Sequence, residues 1–199
     1  SAYGMPFPNI IFREVAPIWD SGVIVCLSLS KLGLPGVRTG IVVAHKKIIR
    51  ALSGSNAILS LAPGSFGPAL VTPALESGDL INLSNTHIRP YYQRRVIDTM
   101  NWFKKEFHGY PCRAHAPEGA IFLWLWFQDL PITSKELYQR LKKRDVFVIA
   151  GEYFFPGLME DWQHRHECIR VSYAQDPDQV RRGLAIIGEE VRAAYRGEH

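Results

Sequence analysis

The sequence predicts an α/β fold that is followed by a smaller α+β unit. Two continuous apolar runs of strand length lie early in the chain, at residues 22–28 and 39–44, and a long helical pattern follows at about 88–107. Beyond it, the pattern changes to shorter helical and extended pieces. Apolar runs without alternation are typical of strands buried on both faces of a parallel sheet. Strands and helices in this order indicate an α/β unit first and an α+β unit second.

The first part of the chain is predicted to end with its longest helix. Two shorter helical segments, at about 46–54 and 65–78, come before it. The long helix has apolar side chains at i, i+4, i+7 and i+11, which form one buried stripe: Val96, Met100, Phe103 and Phe107. A glycine and a proline within residues 108–111 end this helix. We therefore divide the chain into domains at residues 1–107 and 108–199.

The second part is predicted to contain three strands and two helices. The strands are expected at residues 120–127, 145–150 and 168–173. Thr133 and Glu136 have the spacing of a capping box, which predicts that a helix begins there. Asp176, followed by a proline and then a glutamine, predicts the start of the closing helix. The buried stripe of that helix is predicted to be Val180, Leu184, Ile187 and Val191.

The composition excludes several classes of protein. The chain has 199 residues, of which 47% are hydrophobic and 21% charged, and these values exclude a disordered chain. No apolar run approaches the roughly 18 residues that a membrane helix needs. The formal net charge of +4, with acidic and basic residues interspersed, favours a site for small anions, or no special surface, over a nucleic-acid surface. Three cysteines without metal-ligand spacing indicate a reducing, cytoplasmic environment and no metal site.

Residues 28–40 carry the most informative chemistry. Lys31 follows an apolar strand, where desolvation would disfavour the charged form of its amine and make it nucleophilic. Ser28, Ser30, nearby glycines and Arg38 supply the hydrogen-bond donors and the fixed charge that a phosphate group needs. A nucleophilic amine beside a phosphate pocket suits a phosphorylated aldehyde, and pyridoxal phosphate is such a molecule. On spacing alone, an ordinary turn with solvated side chains is an equal alternative.

This segment resembles the lysine motif of the fold type I, class I and II aminotransferases. In that family a Ser-x-Ser-Lys stretch precedes a Gly-x-Arg-x-Gly stretch, as it does here. Three further stretches are similar in order and spacing: residues 2–7, 117–124 and 169–173. One difference is that Arg38 lies seven residues after Lys31, where many members have eight. The resemblance implies part of a large domain, with a three-layer α/β/α sheet, followed by a small α+β carboxy-terminal domain.

The resemblance also implies roles for individual residues. Lys31 would form the Schiff base with pyridoxal 5'-phosphate and move a proton between the substrate and the cofactor. Four other residues would hold the cofactor: Tyr3 at its phenolic oxygen, and Ser28, Ser30 and Arg38 at its phosphate. Arg170 would bind the substrate α-carboxylate through its planar fork. Without this context, Arg170 would be an ordinary arginine at a strand edge.

The substrates and the extent of the chain follow from the same resemblance. Residues 3–10, 28–38 and 118–127 are similar to stretches of enzymes that exchange an amino group between valine and pyruvate, giving 2-oxoisovalerate and alanine. The resemblance implies that the partners are small amino acids and 2-oxo acids, and that the protein is a homodimer. It also places the aspartate that pairs with the pyridine nitrogen just before Ser1. We therefore expect a carboxy-terminal fragment that is inactive alone.

Two alternative functions remain open at this stage. One is an aminotransferase-like sensing domain of a transcription regulator, since such domains share a Lys-x-x-x-Pro-Gly-x-Arg loop. The other is a different class I or II aminotransferase, such as an alanine or aromatic-acid enzyme, because one methylene in a pocket changes binding by only about 1–3 kcal/mol. Among the other candidates, His164 and His166 are expected in a solvated loop, and Cys26 in the core. The aromatic loop at residues 153–155 is a candidate for substrate contact.

Overall fold

The computed structural model describes residues 22–62 and 64–198, which form two compact units that divide between Tyr91 and Tyr92. This division falls in the first turn of the helix Arg89–Glu106, whereas the sequence pattern placed the domain boundary after residue 107. The reason is packing, because the apolar stripe of that helix belongs to the core of the second unit. Each unit is described by itself below.

In residues 22–62 and 64–91, the first unit contains a two-stranded ribbon and three α-helices. Strand β1 spans Val25–Ser28 and pairs antiparallel with β2, Gly40–Val43. Helices α1, α2 and α3 follow at Lys46–Ser60, Phe66–Glu76 and Asp79–Leu83. The two helical segments expected at about 46–54 and 65–78 are therefore present, the first of them longer than expected.

The expectation of parallel strands buried on both faces does not hold for the described ribbon. The strands are antiparallel because 3-10 turns connect them, and parallel strands need a crossover of about a dozen residues or more. Leu27 and Val43 are 49% and 45% exposed, and Cys26, which was expected in the core, is also exposed. Only two strands pair in the described part of this unit, which is too few to bury both faces.

The core of the first unit is small and lies under the connection between the strands. Its fully buried apolar side chains are Leu29, Val71 and Leu80. Leu29 comes from the connection, Val71 from α2 and Leu80 from α3, so these helices support the loop that follows β1. Helix α1 has no buried residue.

The second unit is an antiparallel sheet packed against long helices. Helix α4 spans Arg89–Glu106 and leads to the sheet, whose strand order is β3-β4-β6-β5. The strands are β3 at Cys112–Ala114, β4 at Phe122–Phe127, β5 at Ile149–Ala150 and β6 at Cys168–Ser172. Helices α5 and α6 are Ser134–Lys142 and Pro177–Tyr195. Within the described ranges, no helix has the length and apolar character needed to span a membrane.

Both predicted helix starts in this unit are capped. The Thr133 hydroxyl accepts a hydrogen bond from the Glu136 amide at 3.2 Å, and the Asp176 carboxylate accepts from the amides of Asp178 and Gln179 at 3.0 and 3.3 Å. Each cap satisfies backbone donors that the first helical turn leaves without partners. The strand expected at 145–150 contributes only two residues to the sheet.

Alternation in β4 decides which face of the sheet meets the core. Leu123, Leu125 and Phe127 are buried, whereas Trp124 and Trp126 lie on the opposite face and are half-buried. The buried face packs against the stripes of α4 and α6 that the sequence predicted. The opposite face is therefore the one on which polar and aromatic side chains can form a site.

Candidate active site

The lysine lies in a tight connection anchored by one buried residue. Ser28 is the last residue of β1, and Leu29–Lys31 then form a 3-10 turn. The amide of Leu29 donates to the Thr39 carbonyl at 3.2 Å, and its carbonyl accepts from the amides of residues 32 and 34, both at 3.0 Å. These bonds hold the turn against the start of β2. Lys31 is exposed at its end.

The residues that the structure describes leave Lys31 exposed, so they do not supply the expected desolvation. The expectation rested on a strand buried on both faces, and β1 is largely exposed. The position of Lys31 on the loop agrees with the sequence prediction, whereas its surroundings do not. Desolvation of the Lys31 amine requires other protein surface to cover it, and the described residues do not supply that surface.

Arg38 has a strained backbone. A second 3-10 turn, Pro35–Val37, ends at Arg38, which adopts the left-handed conformation with φ 46° and ψ 39°. This conformation costs an L-residue with a side chain roughly 1–2 kcal/mol, and such strain clusters at ligand sites. The Thr39 hydroxyl donates to the Val37 carbonyl at 2.8 Å across the arginine. The local structure thus holds Arg38 in a conformation that it would not adopt by itself.

Helix α2 packs directly on this strained segment through a glycine. A Cβ added to Gly67 would lie 2.5 Å from the Val37 carbonyl oxygen and still closer to the Thr39 hydroxyl. Gly67 is buried, so no larger residue fits there without movement of the loop. The start of α2 therefore fixes the backbone on both sides of Arg38.

The β1–β2 register brings the predicted cofactor residues onto one connection. Ser28 lies opposite Gly40, so Ser28, Ser30, Lys31 and Arg38 are all at the same end of the ribbon. Hydroxyl groups and a guanidinium suit a phosphate group, and a primary amine suits an aldehyde. The donor set of the loop therefore fits pyridoxal phosphate. Tyr3, the fifth predicted cofactor residue, lies outside the described residues.

Arg170 is held in the second unit between aromatic rings. It lies in the middle of β6, opposite Trp124 of β4 and Ile149 of β5. Its guanidinium carbon is 4.2 Å from the ring centroid of Phe122 and 4.9 Å from that of Phe154. The rings attract the cation but offer no lone pairs to its N–H donors. Within residues 22–62 and 64–198, no carboxylate pairs with Arg170. A substrate carboxylate would meet that need.

An aromatic cluster extends from this arginine. Trp124 contacts Phe154 and Phe155 edge-to-face, with ring centroids 5.1 and 6.1 Å apart. Trp162 lies 5.4 Å from Phe155 and 4.7 Å from His164. The tryptophans of β4 are therefore part of an aromatic packing cluster. His164 is part of this packing, which corrects the expectation that it lies in a solvated loop.

Three charged residues beside the aromatic loop form an ion cluster that the sequence did not reveal. Glu152 has a side chain only 7% exposed, and it pairs with the Lys135 amine and with His166, whose Nδ1 is 3.1 Å from Glu152 Oε1. We call Lys135, Glu152 and His166 the Glu152 bracket. The other nitrogen of His166 lies 2.7 Å from the Asp161 carboxylate. His166 was expected in a solvated loop, but it is paired on two sides.

The pairing changes the pKa values of the bracket. The hydrogen bond of His166 with Asp161, and then its ion pair with Glu152, raise the pKa of the imidazole above its usual value. Burial alone would raise the pKa of Glu152, but its ion pairs with Lys135 and His166 outweigh burial and lower that pKa. Both shifts favour the charged forms and therefore the ion pairs of the bracket.

Comparisons with known proteins identify the family. The model of the family "Aminotransferase class I and II" matches residues 2–187 of this chain. The chain belongs to the class I and II aminotransferases. The resemblance seen in the sequence is thereby confirmed, and so is the fold class, a piece of the large α/β domain followed by a small α+β domain.

Individual relatives are similar over most or all of the chain. The valine–pyruvate aminotransferase of Escherichia coli K12 is 49% identical over 199 residues, which cover all of this chain and 48% of that protein. The crystal structure of valine-pyruvate aminotransferase from Salmonella typhimurium LT2 is 50% identical, with a TM-score of 0.83, covering 98% of this chain and 50% of that one. Kynurenine aminotransferase of Pyrococcus horikoshii, solved in complex with PMP, is 26% identical with a TM-score of 0.72, covering 87% and 41%. The chain thus spans about half the length of these relatives.

Proposed function

We propose that the complete protein is a pyridoxal-phosphate-dependent aminotransferase that transfers the amino group of valine to pyruvate, leaving 2-oxoisovalerate and alanine. The observation that carries this proposal is the loop at residues 28–40. It places an amine, two hydroxyl groups and a strained arginine on one connection, in a chain 49% identical to a valine–pyruvate aminotransferase.

Different residues of the chain are proposed to hold different parts of the cofactor. Ser28, Ser30 and Arg38 would bind the phosphate, and Tyr3 would donate to the phenolic oxygen. When bound, pyridoxal phosphate would carry the amino group and withdraw electrons from the substrate Cα. Lys31 would hold the cofactor through Nζ until the substrate amine takes its place, and the freed amine of Lys31 would then act as base and acid at the substrate Cα. The backbone on both sides of Arg38 is held by the hydrogen bond between Thr39 and Val37 and by the close approach of Gly67 to these two residues. This support would reduce the backbone reorganisation needed when Arg38 binds the phosphate.

Arg170 binds the carboxylate that both substrates carry. It has no acidic partner among the described residues, and its guanidinium can form two parallel hydrogen bonds with a carboxylate. The aromatic surface beside it, from Trp124 and Phe154, offers no charge to a substrate side chain. Such a surface suits an aliphatic amino acid better than an acidic one.

The organisation of the complete protein is part of this proposal. We assign residues 1–107 to the end of the cofactor-binding domain and 108–199 to the small domain of a cytoplasmic homodimer. Large apolar side chains of the first unit, Ile58, Leu59, Leu61 and Phe66, are each more than three-quarters exposed. Exposed apolar surface of this kind is typical of an interface, either with the remainder of the polypeptide or with a second copy.

Reductive labelling tests the assignment of the lysine. The complete protein is incubated with pyridoxal phosphate, reduced with borohydride, digested and examined by mass spectrometry. We expect the label on Lys31, because it lies on the loop with the phosphate donors, and not on Lys46 or Lys47 at the start of α1. The variant Lys31→Ala serves as the control and should carry no label. Labelling of Lys46 or Lys47 in the wild type would overturn the assignment.

A further inference from the structure

We propose that the Glu152 bracket positions Arg170 for the substrate carboxylate by holding Phe154 against its guanidinium. The proposal rests on the proposed function of Arg170. Lys135, Glu152 and His166 are positioning residues, since their ion pairs in the described part of the chain are with one another and with Asp161, and not with Arg170. Phe154 is the residue through which they act.

Glu152 and Phe154 belong to the same short turn. The 3-10 turn Gly151–Phe154 follows strand β5 directly, and β5 pairs with β6 next to Arg170. A Cβ added to Gly151 would lie 2.6 Å from the Cys168 carbonyl oxygen and 2.8 Å from Cys168 Cβ. The turn is thus packed closely against the beginning of β6 at one end. Because Glu152 and Phe154 lie in the same turn, holding Glu152 in place also restricts the position of Phe154.

The bracket joins three separate elements around this turn. Lys135 lies in the first turn of α5, and His166 ends the 3-10 turn Gln163–His166 just before β6. A carboxylate as buried as that of Glu152 is costly without partners of opposite charge. The two cations therefore favour the one arrangement of the turn in which both reach Glu152.

Phe154 transmits that arrangement to the arginine. Its ring is 4.9 Å from the Arg170 guanidinium carbon and 5.1 Å from the Trp124 ring. Trp124 lies directly opposite Arg170 in the β4–β6 register, so the ring of Phe154 contacts both members of this cross-strand pair. An arginine side chain has many rotamers, and packing on two sides reduces the number that it samples before a carboxylate binds.

The test uses the complete holoenzyme and the variants Phe154→Leu and Glu152→Gln. In both, we expect the apparent KM for valine and for pyruvate to rise about 5- to 10-fold, while kcat and the cofactor absorbance change less than twofold. The Kd for 3-methylbutanoate, a branched carboxylate without an amino group, is measured by calorimetry and should rise by the same factor. Phe154→Tyr should restore wild-type values, because it keeps the ring. The control is Phe147→Leu, which removes an exposed aromatic side chain outside this cluster.

The outcomes separate the inference from the proposed function. A wild-type protein that binds 3-methylbutanoate but exchanges no amino group would refute the proposed function. The Kd values of wild type and variants for 3-methylbutanoate would still test whether the Glu152 bracket positions Arg170. Wild-type KM and Kd values in both variants would overturn the inference. If Glu152→Gln does not fold, as judged by circular dichroism, Lys135→Met takes its place, because Lys135 is half exposed and its replacement removes one ionic partner of Glu152. Equal losses in Phe154→Tyr and Phe154→Leu would also overturn it.

Discussion

Replacement of Gly67 by alanine is expected to weaken cofactor binding by the complete protein at least tenfold. Gly67 is buried at the start of α2, against the segment that carries Arg38. Its added methyl carbon would lie 2.5 Å from the Val37 carbonyl oxygen and closer still to the Thr39 hydroxyl. These two residues flank Arg38 and are hydrogen-bonded to each other. The methyl group therefore cannot fit unless the backbone around Arg38 moves.

The size of the effect follows from that overlap. Favourable contacts between carbon atoms occur at roughly 3.5–4.0 Å, so the loop must move by about 1 Å. Charge-assisted hydrogen bonds have donor–acceptor distances of about 2.7–2.9 Å, and a shift of this size breaks one. The loss of such a bond costs about 1.5–3 kcal/mol, which corresponds to a roughly 10- to 150-fold weaker affinity. Overpacking should also lower the free energy of unfolding by about 1–3 kcal/mol.

The assay is a titration of the apoprotein with pyridoxal phosphate, followed by absorbance. The matched control is Gly54→Ala, on the exposed surface of α1, where an added Cβ would have no neighbour within 4 Å. That control should bind the cofactor like the wild type and be more stable by about 0.5–1 kcal/mol, because alanine favours the helix. A Gly67→Ala protein with the wild-type Kd would refute the argument that α2 fixes Arg38.

Three further predictions concern Arg170, His166 and the chain by itself. Arg170→Ala should raise the apparent KM for valine and pyruvate about 10- to 150-fold, from the loss of about 1.5–3 kcal/mol, with the cofactor absorbance retained; unchanged KM values would remove Arg170 from the site. The ion pairs of His166 raise its pKa, so their stabilisation is complete below about pH 6.5 and is lost as the pH rises through the raised pKa. The difference in Tm between wild type and His166→Gln should therefore shrink with increasing pH, and a constant difference would contradict this assignment. Residues 1–199 alone should show no valine–pyruvate exchange, and an active monomeric preparation would contradict that expectation.

Local features of the second unit could be predicted from the sequence because their causes are local. Thr133 and Asp176 cap helices through amides two or three residues away, so spacing alone reveals them. The apolar stripes of α4 and α6 follow the helical period in the same way. The extent of strand β5 was harder to predict, because only two residues of its apolar run pair with β6. Pairing depends on the neighbouring strand and not on the run itself.

The surroundings of the candidate site could not be predicted, because they depend on distant parts of the chain. The position of Lys31 on its loop is a local property, but its exposure depends on what covers β1. The Glu152 bracket joins α5, the turn after β5 and the turn before β6, and no spacing of Lys135, Glu152 and His166 indicates that they meet. The one available clue was that Glu152 lies next to the aromatic loop.

The two functional groups of this chain differ in how much of the described structure supports them. Arg170 lies in a four-stranded sheet over an extensive buried core, with its aromatic and ionic supports all within the second unit. The lysine loop rests on three buried apolar residues and on the contact of α2 at Gly67. In the proposed function, the second unit would recognise the carboxylate, whereas the loop of the first unit would supply the reactive amine. Because both proposed substrates share the carboxylate, changes in substrate preference should arise from the aromatic surface around Trp124 and Phe154 while the lysine loop stays the same.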